Sequence, residues 1–413
     1  MITKIEALNY RCLHYVSQEL SNFHVLAGPN ASGKSTFLDV IALVADVVNR
    51  GPLRAVLDRA SDYRDLFWMR KGDRLELAIE ASVPKEPRDA VKEKSYDHCR
   101  YELAIGRVPG SDEIGILSER LWLFKLEPGQ PKQLDVFPRT LPVPKTILWG
   151  TKRGRQTLIN KVPDGNDNFY SETGKFDHAF LLGPQKSALA NVPEDIAKFP
   201  ISIWFKKALS EGTQVLTLNS KAMRRPSPPG MPRNLLPDGC NLPWVLHDLR
   251  LADEARLREW VTHIRTALPE IADVDTVERP EDRHRYVVLK YENGLEIPSW
   301  LVSDGTLRFL ALTVLPYLPG AERIYLIEEP ENGIHPKAVE PVYQSLSSVY
   351  EGQVLLATHS PIFLTISDPS DILCFGINDE GAADVIEGSR HPRLREWRRE
   401  VALGDQFAAG VLE

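Results

Sequence analysis

The sequence lacks three features that would place it in a specialised class of protein. Its cysteines, Cys12, Cys99, Cys240 and Cys374, are too far apart for a CxxC pair, which excludes a zinc ribbon or a dithiol redox motif. No apolar stretch is long enough to cross a bilayer, and the first residues lack the unbroken apolar core of a signal peptide. Neither sign of charge dominates, because 50 basic and 57 acidic residues leave a net charge of −7. We therefore expect a cytoplasmic protein with reduced thiols and no membrane partner.

What is present is an ordinary globular composition, with 43% hydrophobic residues in a chain of 413. The 31 prolines disfavour one long coiled coil. Periodicity and turn signals predict strands over 2–8, 14–20, 23–27, 74–83, 100–105, 114–124, 285–291, 295–301, 323–327 and 353–357. They predict helices over 33–49, 252–268, 308–318 and 336–349, with loops over 128–144 and 210–243. The alternation of helix and apolar strand beyond residue 303 is typical of a buried, mostly parallel sheet.

The strongest motif is the segment GPNASGKS at residues 28–35, which fits GxxxxGK[ST] without a mismatch. It follows an apolar strand that ends at Ala27 and opens a helix, so backbone N–H groups can face phosphates there. We expect Lys34 to reach the β- and γ-phosphates, Ser35 to coordinate Mg²⁺ and Thr36 to assist at the α-phosphate. A glycine-rich turn without a ligand is the less favoured alternative. The predicted nucleotide-binding residues are Gly28, Asn30, Ser32, Gly33, Lys34, Ser35 and Thr36, and the predicted cofactors are ATP and Mg²⁺.

A second motif, RIYLIEEPEN at residues 323–332, supplies acidic side chains where an apolar strand ends. The carboxyl ends of such strands are where open α/β sheets bind ligands. We expect Glu328 to lie by the metal and Glu329 to position or deprotonate the attacking water. Taken alone, the segment also fits a solvated acidic helix start at Pro330, an alternative that the P-loop disfavours.

Two further segments complete a pattern that resembles an ABC-class ATPase head. Ser303-Asp-Gly305-Thr begins a predicted helix, and LATHS, which contains His359, closes a predicted strand. With ENGIHP after the carboxylates, the pattern resembles the OLD/SMC/RecF branch of that class, where OLD stands for overcoming lysogenisation defect. The resemblance implies an α/β fold, a two-lobed, SMC-head-like P-loop NTPase with a mixed α+β insertion. The implied domains are lobe I at 1–80, the insertion at 81–284 and lobe II at 285–413.

The resemblance also implies roles for single residues. Ser303 and Gly305 match the signature loop, which contacts the γ-phosphate held by the opposite subunit. His359 matches the switch histidine that binds the γ-phosphate, while Asn332 and Gly333 match the loop that crosses the dimer interface. The implied assembly is a homodimer, or a higher even oligomer, that closes around two ATP molecules and loosens on hydrolysis.

OLD-type proteins often carry or recruit a TOPRIM nuclease. Since this chain ends soon after His359, we expect any such effector to be a separate chain, and bacterial anti-phage defence to be the setting. Three departures from the class predict slow hydrolysis. The signature reads SDGT where transporters have SGGQ, and Glu328 stands where many relatives have Asp. No glutamine lies at 65–71 for a Q-loop, and Gln185 is a weak substitute, better interpreted as an ordinary loop residue.

Alternatives remain open at this point. The main one is a RecF-like ATPase that grips DNA directly in DNA repair. Two basic clusters bear on it, and for both we favour a solvated face over nucleic-acid contact. They are Lys221, Arg224 and Arg225, and then Arg390, Arg393, Arg395, Arg398 and Arg399 around Trp397. A transporter motor is disfavoured by the long insertion, and a small-molecule kinase by the Ser303 motif. His335, before Pro336, is expected to make a structural hydrogen bond at a helix start.

Overall fold

The structure is a computed structural model that describes residues 1–127, 136–162, 165–174, 177–320 and 323–394. Its strands are β1 (Ile2–Tyr10), β2 (Leu13–Glu19), β3 (Phe23–Ala27), β4 (Arg74–Ser82), β5 (His98–Arg107), β6 (Ile114–Phe124), β7 (Arg155–Lys161), β8 (Asp167–Phe169), β9 (His178–Phe180), β10 (Thr213–Leu216), β11 (Ile271–Glu278), β12 (Arg285–Tyr291), β13 (Glu296–Pro298), β14 (Ile324–Glu328), β15 (Gln353–Ala357), β16 (Ile372–Ile377) and β17 (Ala383–Glu387). Its helices are α1 (Lys34–Arg50), α2 (Pro52–Leu57), α3 (Lys85–Ala90), α4 (Pro200–Ser210), α5 (Ser220–Met223), α6 (Leu242–Ala252), α7 (Glu254–Ile264), α8 (Asp304–Thr313), α9 (Pro336–Ser347) and α10 (Pro361–Ile366).

Contacts within the chain divide the described residues into two units. The first comprises Met1–Thr213 together with the segment that starts at Pro369, and the second comprises Gln214–Asp368. The division into lobe I, insertion and lobe II stays a prediction. In the described part of the chain, no helix is long and apolar enough to span a membrane.

An antiparallel sheet forms much of the first unit. Among the described residues it contains eight strands in the order β2-β1-β4-β5-β6-β7-β8-β9. Arg100 on β5 is buried, and its guanidinium binds the carboxylates of Glu6 on β1, Glu80 on β4 and Glu102 on β5 itself. Because a buried guanidinium is tolerated only when it is paired and hydrogen-bonded, this cluster fixes how β1, β4 and β5 align.

The first unit also holds the strand that leads into the P-loop. β3 pairs in parallel with β16, with Val25 opposite Ile372 and Ala27 opposite Cys374. β16 in turn pairs antiparallel with β17. α1 follows the P-loop and buries a broad apolar face, on which Phe37 makes an edge contact with Phe375 of β16. The P-loop therefore stands between a fully buried strand and a buried helix.

The second unit contains the strands that end in the acidic and histidine motifs. β14 and β15 are parallel neighbours, with Glu328 opposite Ala357, and β10 lies beside β14. β11, β12 and β13 form a separate antiparallel sheet. Trp260 on α7 donates its indole N–H to the hydroxyl of Thr313 on α8 at 3.0 Å, and both side chains are fully buried. This bond holds α8, the helix that follows Ser303, in a fixed position on α7.

The structure corrects several predicted elements. The helix predicted over 252–268 is wrong in its bounds, since Asp253 separates α6 from α7 and its side chain caps α7. The strand predicted over 295–301 is only the three residues of β13 followed by a 3-10 turn, and the helix predicted over 308–318 is α8 plus a short 3-10 turn. Strands β7, β8, β9, β10, β11, β16 and β17 were not predicted, and the loop predicted over 210–243 is wrong where it contains β10 and α5. Of the predicted loop at 128–144, residues 128–135 lie outside the described residues.

Candidate functional site

The backbone of the P-loop adopts conformations that an anion-binding loop requires. Gly28, Ala31 and Gly33 all have positive φ, at 153°, 62° and 101°. Such a conformation is accessible to glycine and strained for alanine. The backbone N–H groups of Asn30, Ala31 and Gly33 donate no hydrogen bond to any residue that the structure describes. The loop therefore has three backbone donors without a partner among the described residues at the start of α1, where the helix dipole also favours an anion.

Two positions of the loop require glycine, because neighbouring atoms of the same unit lie too close for a side chain. A Cβ at Gly28 would lie 2.4 Å from the carbonyl oxygen of Phe375 on β16. A Cβ at Gly33 would lie 3.0 Å from both the sulfur of Cys12 and the Cβ of Ala383 on β17. The P-loop thus packs against β16, β17 and the turn between β1 and β2. These neighbours leave no room for a side chain at Gly28 or Gly33.

The polar side chains of the loop fit a triphosphate. Lys34 is only 6% exposed, and its ammonium donates to the carbonyl oxygens of Gly28 and Pro29, each at 2.8 Å. Ser32 is fully buried, and its hydroxyl has no hydrogen-bond partner among the described residues. Ser35 is exposed at the first turn of α1. A held lysine, an unpartnered hydroxyl and N–H donors without a partner are groups of the kind that bind phosphate oxygens, and the role of Ser35 as a Mg²⁺ ligand stays a prediction.

Cys12 closes one side of the P-loop next to Thr36. Burial raises the pKa of the Cys12 thiol above its usual value, although a hydrogen bond with Thr36 opposes the shift. The thiol is therefore neutral at physiological pH and adds no negative charge beside a loop that is suited to anions.

The acidic motif ends β14 in an unusual conformation. Glu328 is the last residue of the strand, and Glu329 follows with a φ of 47°, in the region that non-glycine residues seldom adopt. The N–H of Glu329 donates to the carbonyl of Ala357 at the end of β15, at 2.7 Å, and its carboxylate accepts a hydrogen bond from the side-chain amide of Asn332. Both glutamates are exposed. These two contacts stabilise the strained backbone conformation of Glu329. They also fix the orientation of its carboxylate.

A third acid, Glu331, connects the acidic loop to the segment that carries His359. One oxygen of its carboxylate accepts hydrogen bonds from the hydroxyl of Thr358 at 2.5 Å and from the backbone N–H of His359 at 3.3 Å. The other oxygen is buried without a hydrogen-bond partner among the described residues. The position of His359 is therefore set in part by Glu331.

The signature segment begins α8 as predicted. The hydroxyl of Ser303 accepts a hydrogen bond from the N–H of Thr306 at 3.1 Å, which makes Ser303 the N-cap of the helix. Ser303 and Asp304 are exposed, and Arg224 pairs with the Asp304 carboxylate at 2.9 Å. An exposed capped helix start is a position from which N–H groups can reach a second molecule.

Gly305 brings the start of α8 against the loop that follows Glu329. A Cβ at Gly305 would lie 2.2 Å from the carbonyl oxygen of Gly333, so no side chain fits there. Arg308, one turn further along α8, donates to the carbonyl of Asn332 at 2.9 Å. Within the second unit, the two segments that the sequence analysis assigned to a dimer interface are thus packed on each other.

The predicted residues therefore fall into two groups. In the first unit, the P-loop residues from Gly28 to Thr36 form one loop and helix start. In the second unit, contacts join Gly305 to Gly333, Glu329 to Asn332, and Glu331 to His359. Glu331 and Arg308 were missed by the sequence analysis. The only available signal for Glu331 was its place in the same acidic run, and Arg308 carried none.

Three weaker predictions have structural outcomes. Gln185 donates its amide to the carbonyl of Ile114 at 2.7 Å, which fits the ordinary loop role favoured for it. The ring of His335 accepts a hydrogen bond from the N–H of Lys337 and caps α9, which confirms the structural role expected there. Part of the second basic cluster, Arg395, Trp397, Arg398 and Arg399, lies outside the described residues.

Comparison with known proteins identifies the class. The fold is that of SMC head domains, which are ABC-type P-loop ATPases. An SMC head bound to the C-winged helix domain of ScpA has a TM-score of 0.50 to this chain. The two are 16% identical in sequence, and the match covers 93% of this chain and 97% of that chain. Two further heads are similar at lower scores. An SMC head with an extended coiled coil, bound to a ScpA domain from Pyrococcus furiosus, has a TM-score of 0.48, 15% identity and coverage of 93% and 95%. The SMC head from Thermotoga maritima has a TM-score of 0.41, 10% identity and coverage of 94% and 98%.

A sequence profile agrees with this class. The family described as "AAA domain, putative AbiEii toxin, Type IV TA system" matches residues 23–87 and 248–365, which contain the P-loop, Ser303, the acidic motif and His359. No curated protein is similar enough in sequence to count as a relative. The two results together support an ATPase of the ABC and AAA type.

Proposed function

We propose that this protein is an ATP-binding and ATP-hydrolysing switch that self-associates and controls a separate effector. The observation that carries the proposal is the P-loop, whose positive φ angles, buried Lys34 and unpartnered Ser32 hydroxyl suit a triphosphate. The fold supports it, because SMC heads are P-loop ATPases.

Each site residue has a role in this proposal. The N–H groups of the loop and Lys34 bind the phosphates, and Thr36 assists at the α-phosphate. Ser35 and Glu328 hold Mg²⁺, which neutralises phosphate charge when it is bound. Glu329 orients the attacking water and accepts its proton, while His359 binds the γ-phosphate. Glu328 is one methylene longer than aspartate, so we expect slow hydrolysis.

Self-association follows from the signature segment. Ser303 is the exposed N-cap of a helix whose first turn contains Gly305, and a γ-phosphate bound by a second copy would meet the N–H groups of this helix start. Two copies would then enclose two ATP molecules, as a homodimer or a higher even oligomer, and hydrolysis would loosen them. The partner effector is the finer part of the proposal. It is supported by the SMC head that binds a winged-helix domain of a separate protein, and by the toxin named in the matching family.

We infer that the setting is bacterial anti-phage defence with an OLD-type effector such as a TOPRIM nuclease. The alternative is a RecF-like ATPase in DNA repair, in which the head itself grips duplex DNA. The two differ in a measurable way, since the first requires an effector chain for nuclease activity and the second requires tight, salt-sensitive binding of duplex DNA.

The experiment that tests the core proposal compares two variants of the full chain. Lys34→Ala should abolish binding of a fluorescent ATP analogue, and Lys85→Ala, an exposed lysine elsewhere in the first unit, should bind normally. Glu329→Gln should bind ATP yet hydrolyse it about 100-fold more slowly, because it removes a general base. Glu351→Gln is the matched control in the second unit. Retained affinity in Lys34→Ala would overturn the P-loop assignment.

A further inference from the structure

The second unit carries a concave surface lined by cations and one indole ring. Its lining residues are Lys221, Arg224, Arg225, Pro226, Arg279 and Trp300, and we call it the basic face. No carboxylate is among these residues. They come from three separate segments of the chain, so the cluster at 221–225 visible in the sequence is only part of it.

Two of the four cations are uncompensated. Arg224 binds the carboxylate of Asp304 and the carbonyl oxygen of Val302, and Arg279 pairs with Asp282. Lys221 and Arg225 are exposed, and neither forms an ion pair with any residue that the structure describes. A chain with a net charge of −7 therefore presents unpaired positive charge at this place.

The indole ring of Trp300 is available beside these cations. Trp300 is 46% exposed, and one side of it is held by Tyr286, with ring centroids 4.8 Å apart at an angle of 52°. Leu301, the next residue, is 71% exposed. An exposed aromatic ring held from one side costs little entropy when a second ring stacks on it.

We propose that the basic face binds single-stranded nucleic acid, with a base stacked on Trp300 and phosphates bound by Lys221 and Arg225. Stacking rings next to unpaired cations are the combination that single-strand binding proteins use. A duplex would offer phosphates to the cations but no unstacked base to the indole ring. An acidic peptide would pair with the cations and leave Trp300 without a specific role. The solvated-face interpretation of residues 221–225 does not account for the half-exposed ring of Trp300 beside them.

This inference goes beyond the proposed ATPase and also suggests what the switch senses. Arg224 lines the basic face and at the same time binds Val302 and Asp304, the two residues that flank Ser303. A single-stranded nucleic acid bound on the basic face would thus be separated from the signature segment only by the side chain of Arg224.

The experiment measures binding of a fluorescein-labelled oligo(dT) 15-mer to the full chain by anisotropy, without nucleotide, at several salt concentrations. We expect Lys221→Gln/Arg225→Gln to bind at least tenfold more weakly, and its log–log salt slope to fall by about 1.4, since each single-strand phosphate contact contributes about 0.7. Trp300→Ala should bind about tenfold more weakly, and Trp300→Phe, which keeps a ring, should bind within about threefold of the wild type.

The matched control is Lys85→Gln/Lys94→Gln, which removes the same charge from exposed positions in the first unit and should leave affinity unchanged. Four results would overturn the proposal: no binding by the wild type at low salt, equal losses in the control, no loss in Trp300→Ala, or a preference for duplex of the same length. Lys221 and Arg225 are exposed, so their substitution removes no buried contact, and Trp300→Phe keeps a ring against Tyr286. Because no nucleotide is present, failure here leaves the ATPase proposal standing, and retained ATP affinity in Lys34→Ala, which would overturn the P-loop assignment, leaves this proposal standing.

Discussion

At the scale of single residues, Glu331 explains how the histidine segment is held. Its carboxylate accepts from Thr358 and from the N–H of His359, whereas its own backbone belongs to the loop that follows Glu329. It touches no reacting atom in the proposed mechanism, so it is a positioning residue. We expect Glu331 to affect hydrolysis only through the position of His359.

Glu331→Gln should therefore lower kcat for ATP by about tenfold and leave the Kd for ATP unchanged. A neutral amide binds the Thr358 hydroxyl and the His359 N–H more weakly than a carboxylate does, and charge-assisted hydrogen bonds are roughly twice as strong as neutral ones. Steady-state ATPase assays and equilibrium binding of a fluorescent ATP analogue measure the two constants, with Glu351→Gln as control. A parallel loss of affinity and kcat would show instead that Glu331 has a general structural role.

His24, on the strand that enters the P-loop, gives the molecule a pH-dependent stability. Its Nε2 accepts from the N–H of Ser21 at 2.8 Å, an assignment that makes Nδ1 the donor to the Asp371 carbonyl at 3.1 Å. Burial lowers the pKa of His24 to about 4. Since the folded-state pKa lies below the usual 6.5, the folded state prefers the neutral ring. The resulting stability is complete above pH 6.5 and is lost as the pH falls towards 4.

We expect this single group to reduce the free energy of unfolding by about 3 kcal/mol between pH 7 and pH 4. His24→Gln, which keeps an acceptor and a donor but cannot be protonated, should flatten that part of the pH profile. Urea unfolding at several pH values measures the effect, and His284→Gln, a substitution in an external turn, serves as control. If the wild type and His24→Gln keep the same pH dependence, the assignment is wrong.

At the scale of elements, the sequence predicts what local periodicity or a contiguous motif determines. β3, β6 and β15 have the bounds expected, and α1 differs by one residue at each end. The P-loop was also predictable, because all its residues lie in one segment. Periodicity fails where two helices are adjacent: α6 and α7 are both amphipathic, and only the extended backbone of Asp253 separates them.

The remaining elements depend on contacts that are distant in the sequence. β16 and β17 are short, and β16 pairs with β3, more than 300 positions earlier in the chain. The same reason explains the site contacts that were missed. The approach of Gly305 to Gly333 and the bond from Glu331 to Thr358 join different elements, and no local pattern marks such pairs.

Gly305 is the clearest case of an element contact with a measurable consequence. Gly305→Ala would place a Cβ 2.2 Å from the Gly333 carbonyl, so α8 or the loop after Glu329 must move. Strain of this kind costs about 1–3 kcal/mol. We expect a lower thermal midpoint and at least a tenfold loss of ATPase activity. Gly150→Ala is the control, because a Cβ there meets nothing within 4 Å. Equal behaviour of the two variants in thermal unfolding and ATPase assays would contradict the close contact.

At the scale of the whole molecule, two surface features are suited to binding other molecules. They are the basic face and the signature segment at Ser303. The net charge of −7 says little by itself, since the basic face concentrates positive charge in one place. The exposed N-cap at Ser303 is a second surface suited to another molecule, because the start of a helix favours an anion such as a phosphate that the other molecule supplies. A second copy of the chain with ATP bound would do so.

Glu329→Gln should therefore form dimers when ATP is saturating, because it binds ATP without consuming it. Light scattering after size exclusion should give twice the chain mass of 46.5 kDa with ATP and the single mass without it. Lys34→Ala/Glu329→Gln should stay monomeric because it binds no nucleotide. Ser303→Arg/Glu329→Gln should bind ATP yet stay monomeric, since the bulky cation blocks the helix start. A single chain mass for Glu329→Gln at saturating ATP would contradict enclosure of ATP between two copies. Dimers of Ser303→Arg/Glu329→Gln would show that association uses another surface.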